Sequence, residues 1–391
     1  MVFMIKRKVT SLVSRRCATL LGVGPMSRHC VDAAVSLARE HNTLLMLIAS
    51  RRQIDSDAFG GGYVNRWTTD AFGRYVAEQD KRGNVLMCRD HGGPWQNNKE
   101  VEGNLGLRSA MESAKMSFLS DIEAGFDVIH IDTSLDPHGL VNVDLALERL
   151  FELYDFCWIN AQRLRRDIAF EVGTEEQSGS TNSPEELEYT LNQIHRFCQD
   201  NGLPKPLFVV VQTGTRVMEM RNVGTFDSPI RVQHELPSEI QVPKMIEICN
   251  RYQILMKEHN CDYLSDHALQ WHPRLGIHAA NVAPEFGVAE TQALVKTLRD
   301  HGCKPLAERF LEIAFSSQKW LKWMLSGTNA SDVERAIIAG HYVFSDDEVI
   351  SIKDKAKGLL KPKGIDLDAV LIDAVRSSIL RYMRAFRLVT A

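Results

Sequence analysis

The sequence predicts a parallel (β/α)8 barrel with a C-terminal helical extension. Three observations predict it: short apolar runs alternate with long amphipathic ones along most of the 391-residue chain, the apolar runs number eight, and polar, chemistry-bearing residues recur where one run after another ends. A doubly wound open sheet is the structural alternative. The chain lacks the glycine-rich strand-to-helix fingerprint that a nucleotide-binding version of that sheet would carry.

The elements follow in order. Residues 1–16 carry Lys6, Arg7, Lys8, Arg15 and Arg16 without an acid. They read as a frayed basic terminus rather than an organellar presequence, because a strand pattern follows at once. Residues 17–300 are then expected to form the barrel and 301–391 the extension. The candidate strands are Cys17 to Val23, Thr43 to Ile48, Asn84 to Cys88, Asp127 to Ile131, Asp167 to Glu171, Leu207 to Gln212, Cys261 to Ser265 and Gly276 to Val282. Their Val, Ile, Leu and Phe content fits strands buried on both faces. Helical periodicity covers Cys30 to Glu40, Thr69 to Gln79, Ala110 to Glu123, Asp144 to Arg165, Pro184 to Gln199 and Pro243 to Glu258. Ser183-Pro184-Glu185-Glu186 is a strong helix start, with serine as cap, proline in the first turn and glutamate reaching back. One connection resists the scheme. Between Ser265 and Gly276 there is no helical stretch and scarcely the length that a parallel crossover needs. Beyond the eighth run, Val288 to Arg299, Leu306 to Leu325 and Leu367 to Arg387 read as helices that close and extend the barrel.

Composition narrows the class. The chain is 44% hydrophobic and 25% charged with a net charge of −4, which leaves no footprint for nucleic acid. Its eight cysteines are scattered without metal-finger or redox-motif spacing, as expected of a cytoplasmic protein with free thiols. No apolar run reaches membrane-spanning length.

A barrel gathers the C-terminal ends of its strands into one mouth. The third candidate strand ends in Asp90 and His91, within Arg89-Asp90-His91-Gly92-Gly93-Pro94-Trp95. The fourth ends in His130-Ile131-Asp132, the fifth in Glu171 and the sixth in Gln212. Asp266 and His267 follow the seventh, and His278 and Asn281 belong to the eighth. Stability requires none of them there, so the set points to a site. Histidine nitrogen and carboxylate oxygen ligate zinc-like ions, which polarise a carbonyl; the set suits proton or carbon–carbon chemistry beside one. His91 and His267 are the first candidate ligands of a divalent metal ion, with Glu171 as a third, while Asp90 could move a proton at a substrate hydroxyl. The competing reading has His91 capping a strand and Asp90 paired with an arginine. His130 lies in the apolar run Val128-Ile129-His130-Ile131 and reads as a packed core histidine rather than a ligand. His278 reads the same way. Glu175 and Glu176, in a loop with Ser178, Gly179 and Ser180, are either solvated charge or the general acid of a lid. Gln53, Asp132, Gln212 and Asn281 are the candidates for contacting substrate.

Several motifs together resemble the GatZ/KbaZ family, the so-called non-catalytic subunits of class II D-tagatose-1,6-bisphosphate aldolase, once misnamed tagatose-6-phosphate kinases. The motifs are Gln53-Ile54-Asp55-Ser56-Asp57-Ala58-Phe59-Gly60-Gly61-Gly62-Tyr63, the Arg89–Trp95 stretch, Val128–Ser134, Gly173-Thr174-Glu175, Val210-Val211-Gln212-Thr213-Gly214, Asp266-His267 and Asn281-Val282-Ala283-Pro284. Trp320-Leu321-Lys322-Trp323 and His341–Asp346 continue the likeness toward the C-terminus. The resemblance implies a TIM barrel related to class II aldolases. It matches Asp90 to the acid that handles the substrate hydroxyl proton, His91 to a metal-binding histidine, and His267 to the histidine after the seventh strand. Glu171 corresponds to a carboxylate near the metal, and Glu175 or Glu176 to the mobile-loop acid. The chain departs from catalytic members after the sixth strand, where Gln212-Thr213-Gly214-Thr215 stands in place of a metal-binding histidine; the nearest histidine, His234, lies well downstream. Ala268–Pro273 also lacks the phosphate-cradling glycines.

Three readings of function follow. One is a divalent-metal-dependent aldolase or 4-epimerase acting on a ketose or ketose phosphate. Another is an accessory subunit that stabilises a separate catalytic aldolase, and the third is a barrel that only binds a sugar. The expected partners are a sugar or sugar phosphate, a catalytic aldolase subunit in the accessory reading, and further copies of the chain in an oligomer.

Overall fold

The structure, a computed structural model, describes residues 4–174, 183–228 and 237–389. Eight parallel strands close into a barrel: β1 Leu20–Val23, β2 Leu45–Ser50, β3 Val85–Gly92, β4 Val128–Asp132, β5 Ala169–Gly173, β6 Phe208–Val210, β7 Leu255–Glu258 and β8 Ala279–Val282. Each strand pairs with its neighbours in chain order, and Leu20 opposite Ala279 closes the ring. The helices that follow successive strands cover the outside: α2 Arg28–Glu40, α3 Thr69–Gln79, α5 Leu107–Ala124, α6 Val143–Arg163, α7 Pro184–Asp200, α8 Ser238–Tyr252, α9 Asp266–Leu275 and α10 Pro284–Asp300. A short α4, Asn98–Glu102, stands in the loop after β3. The capping box at Ser183 forms as its residue types predict.

The basic N-terminal segment is ordered rather than frayed. It forms α1, Met4–Arg16, and buries Ile5 and Val9. These two join Leu20, Met46, Leu86, Cys88, Val128, Phe208 and Ala279 in one apolar cluster. The cluster members sit near the N-terminal ends of their strands, so α1 plugs the bottom of the barrel while Arg7, Lys8, Arg15 and Arg16 stay exposed.

The seventh strand differs from the expected one. Leu255-Met256-Lys257-Glu258 extends the amphipathic pattern of α8, so sequence periodicity absorbs it into the helix. In the fold, Gln253 adopts a left-handed conformation (φ 60°) that ends α8, and the chain turns at once into β7. Cys261–Ser265 is then the loop, and Ser265 caps α9 by accepting from the Ala268 amide. Shifting the strand restores the missing crossover helix.

The extension comprises α11 Lys304–Ser316, α12 Asp332–Ala339, α13 Asp347–Leu360 and α14 Leu367–Ala385. The helix expected to run to Leu325 stops at Ser316. A second apolar cluster, including Leu298, Phe310, Phe344, Ile352 and Leu371, holds this layer on α10. α14 folds back: Val375, Ile379, Tyr382 and Met383 belong to the barrel's own core, and Thr19 N donates to Phe386 O at 3.1 Å beside β1. No helix of the described residues is long and apolar enough to cross a membrane.

Candidate active site

Alternation along each strand builds the site. Successive side chains on a strand point to opposite faces, so the strands that put Cys88, Val128 and Ala279 into the barrel floor put Asp90, His130 and Asn281 two residues higher on the same inner face. The same count on β5 and β7 raises Glu171, Lys257 and His259 into the mouth. Asp90, His130, Glu171 and His259 form one buried cluster whose candidate ligand atoms all lie within 4.8 Å of one another. His130 Nδ1 is 3.6 Å from both Asp90 Oδ1 and Glu171 Oε1. His259 Nε2 lies 3.8 Å from Asp90 Oδ1 and 3.1 Å from Glu171 Oε1. Ligands about 2.0–2.1 Å from a tetrahedral ion stand roughly 3.3 Å apart, so these spacings and this two-nitrogen, two-oxygen donor set fit a zinc-like ion.

Three neighbours hold the cluster. Lys257, buried beside it, donates to Glu171 Oε2 at 2.6 Å. Asn281 Nδ2 donates to Asp90 Oδ1 at 3.2 Å, leaving its own Oδ1 buried without a partner among the described residues. The His91 amide stands 3.1 Å from His130 Nδ1, whose single lone pair serves either that amide or an ion.

His91 sits at the rim. Its backbone takes φ 44°, and the β3–β4 register shifts between Arg89 and Gly92, so the residue leaves the regular strand alternation. The two glycines that follow permit this. A Cβ on Gly93 (φ 149°) would stand 2.0 Å from Asp132 O, and one on Gly92 would stand 2.7 Å from His130 O. His91 Nδ1 then meets Asp132 Oδ2 at 2.6 Å, and Nε2 faces Asp90 Oδ2 at 3.9 Å. Asp132 is fixed in turn by Gln96 Nε2 at 3.1 Å and Ser134 Oγ at 2.6 Å. The His91 side chain is 38% exposed, the most open of these groups.

The electrostatics separate two imidazoles. Burial alone would lower His91, but the Asp90 charge and the Asp132 hydrogen bond outweigh it and push the ring up to about 9. Burial dominates at His259 and holds it below the usual histidine range. Burial also works against the ionised carboxylates, yet His91 and His259 keep Asp90 well below its usual value, and Lys257 with His130 brings Glu171 down to about 2.

The structure gathers some of the sequence candidates and not others. Glu171 and Asp90 lie in the cluster, and His91 stands against it. His130, read from sequence as a core histidine, is a cluster member. His267 is not brought there: it is exposed in the first turn of α9, and its Nε2 accepts from Trp271 Nε1 at 3.1 Å. His259, displaced from view by the misplaced seventh strand, stands at the end of β7 instead. Asp132 orients His91. Gln53 braces the loop after β2, accepting from Ser50 N at 2.9 Å, and Gln212 is buried at the end of β6. Arg51 pairs with Asp55 and Glu100, and Arg89 with Asp121. Glu175, Glu176 and His234 lie outside the described residues.

Fold and site together define a (β/α)8 barrel whose strand ends converge on a buried carboxylate–histidine cluster. No family model matches the chain. The fold is similar to that of a probable tagatose 6 phosphate kinase from Sinorhizobium meliloti 1021, at 18% identity and TM-score 0.76, covering 94% of this chain and 100% of that one. It is also similar to fructuronate-tagaturonate epimerase UxaE from Cohnella laeviribosi, at 12% identity and TM-score 0.60, covering 95% of this chain and 81% of that one. Fructose-bisphosphate aldolase from Campylobacter jejuni shares the fold at 9% identity and TM-score 0.58, covering 98% and 94%. At these identities the likeness is one of fold.

Proposed function

We propose that the chain is a divalent-metal-dependent enzyme of carbohydrate metabolism, an aldolase or 4-epimerase of the tagatose-bisphosphate aldolase type that acts on a ketose or ketose phosphate. The observation that carries this reading is the Asp90–His130–Glu171–His259 cluster at the mouth of the barrel. A zinc-like ion held there would supply the Lewis acidity that carbonyl chemistry needs. The remaining work falls to the chain's own groups. His91, held by Asp132 through Nδ1, carries a proton on a ring that is open at the rim and can exchange one from Nε2 with a substrate hydroxyl beside Asp90. Asp90 stays ionised to receive a hydrogen bond from that hydroxyl. Asn281 Nδ2, which donates to Asp90, keeps that carboxylate in place. Solved structures of similar fold bear the names of a fructose-bisphosphate aldolase and a fructuronate-tagaturonate epimerase, which supports the class of reaction.

A second reading, the accessory subunit, is favoured by Lys257. Its ammonium already neutralises Glu171, a charge that a metal would otherwise balance. Metal content of the purified chain, with a screen for cleavage or epimerisation of ketohexoses and their phosphates, separates the two. Turnover that is lost on chelation and restored by metal supports the enzyme; an inert chain that acquires no ion at Asp90, His130, Glu171 and His259 refutes it.

A further inference from the structure

Behind the barrel wall lies a second buried set that this chemistry does not use. Lys257 and His259 point into the barrel, so Glu258 between them points outward, toward α9. There it meets Cys261 and His272, and all three residues are fully buried. Cys261 Sγ donates to Glu258 Oε1 at 2.9 Å, and His272 Nε2 stands 3.0 Å from the same oxygen. Glu258 Oε2 is buried with no partner among the described residues. His272 Nδ1 lies 3.2 Å from the carbonyl of Ala268, one turn back on α9. One ring proton serves only one of these two acceptors: on Nδ1 it satisfies the carbonyl and turns the Nε2 lone pair toward a carboxylate oxygen, a gap that a cation between them closes.

We propose that Glu258, Cys261 and His272 form a second divalent-metal site, of the structural zinc class. The three candidate ligand atoms lie within 4.8 Å of one another, and one sulfur, one nitrogen and one carboxylate suit zinc. Glu258 Oε2 supplies the fourth donor if the carboxylate binds through both oxygens. The Nδ1 contact to a backbone carbonyl is the support that metal-bound histidines usually have. Charge balances as well: a thiolate and a carboxylate neutralise a divalent ion, so the dry interior encloses no net charge. On binding, a metal–sulfur bond replaces the thiol hydrogen bond and the Cys261 proton leaves to solvent. The ligands lie within one stretch, Glu258 to His272, so the ion would staple the end of β7 to α9 across the loop that begins at His259.

Cobalt distinguishes this site from the mouth cluster, which contains no sulfur. The full chain, stripped and reloaded with Co2+, is expected to bind two equivalents and show a sulfur-to-cobalt charge-transfer band. Cys261→Ser should remove the band and one equivalent, whereas His259→Ala should remove one equivalent and keep the band. A wild-type spectrum without the band, or a band that survives Cys261→Ser, overturns the proposal. Zinc-edge X-ray absorption of the unsubstituted, zinc-loaded chain needs no variant: a sulfur scatterer about 2.3 Å from the ion supports the site, and a shell of nitrogen and oxygen alone overturns it.

Discussion

At the scale of single residues, the site divides its labour between two kinds of histidine. His130 and His259 are closed off from solvent within the cluster, and His91 is open and carries charge. Replacing His130 or His259 by Ala is therefore expected to lower metal content at the mouth without unfolding the chain, while His267→Ala leaves it unchanged. Mass-spectrometric metal analysis of folded variants reads this directly. Asp132→Asn removes the charge that helps keep His91 protonated. The ring should then titrate below about 9, and turnover should fall by about 10²-fold, the lower end for a displaced general acid–base group. Histidine NMR titration against a pH–rate profile checks both.

At the scale of elements, the strand alternation that places Asp90 and Glu171 is legible in the sequence, because each ends an apolar run at a visible break. His130 was legible in principle. It stands two residues from both Val128 and Asp132, on the face they share, but an apolar surround suggests a packed side chain until the neighbouring strands supply acids. His259 and Lys257 were not legible. The boundary between α8 and β7 rests on Gln253 in a left-handed conformation, where no glycine or proline marks the break, and an amphipathic four-residue strand continues the period of the helix before it. The β3–β4 junction makes its own prediction. Gly93→Ala would drive a Cβ into the Asp132 carbonyl and displace the strand that carries His130 and Asp132. A loss of about 3 kcal/mol or more in denaturant unfolding is expected, with metal affinity falling in parallel.

At the scale of the whole molecule, the polar mouth and the apolar floor are stabilised differently. Near the floor, at the start of β4, Asp127 accepts from the Met87 amide at 2.8 Å, and burial raises its carboxyl to about 6. A raised carboxyl contributes stability fully below its unfolded value near 3.9 and loses it as pH climbs through about 6. Asp127→Asn keeps the accepting oxygen and removes the charge. The variant should gain about 1–2 kcal/mol over the parent at pH 7.5 and little at pH 4. Paired thermal melts at the two values test the sign.

The return of α14 to the barrel has a consequence for the order of assembly. The seam between β1 and β8 is covered by a helix synthesised long after both strands, and Thr19 waits for Phe386 to complete its backbone pairing. On the ribosome, all eight strands can emerge while the wall beside the first remains bare, exposing an apolar flank to neighbouring nascent chains. The extension then acts as a late latch, and the barrel's vulnerability to misassembly is set by how long that flank stays open.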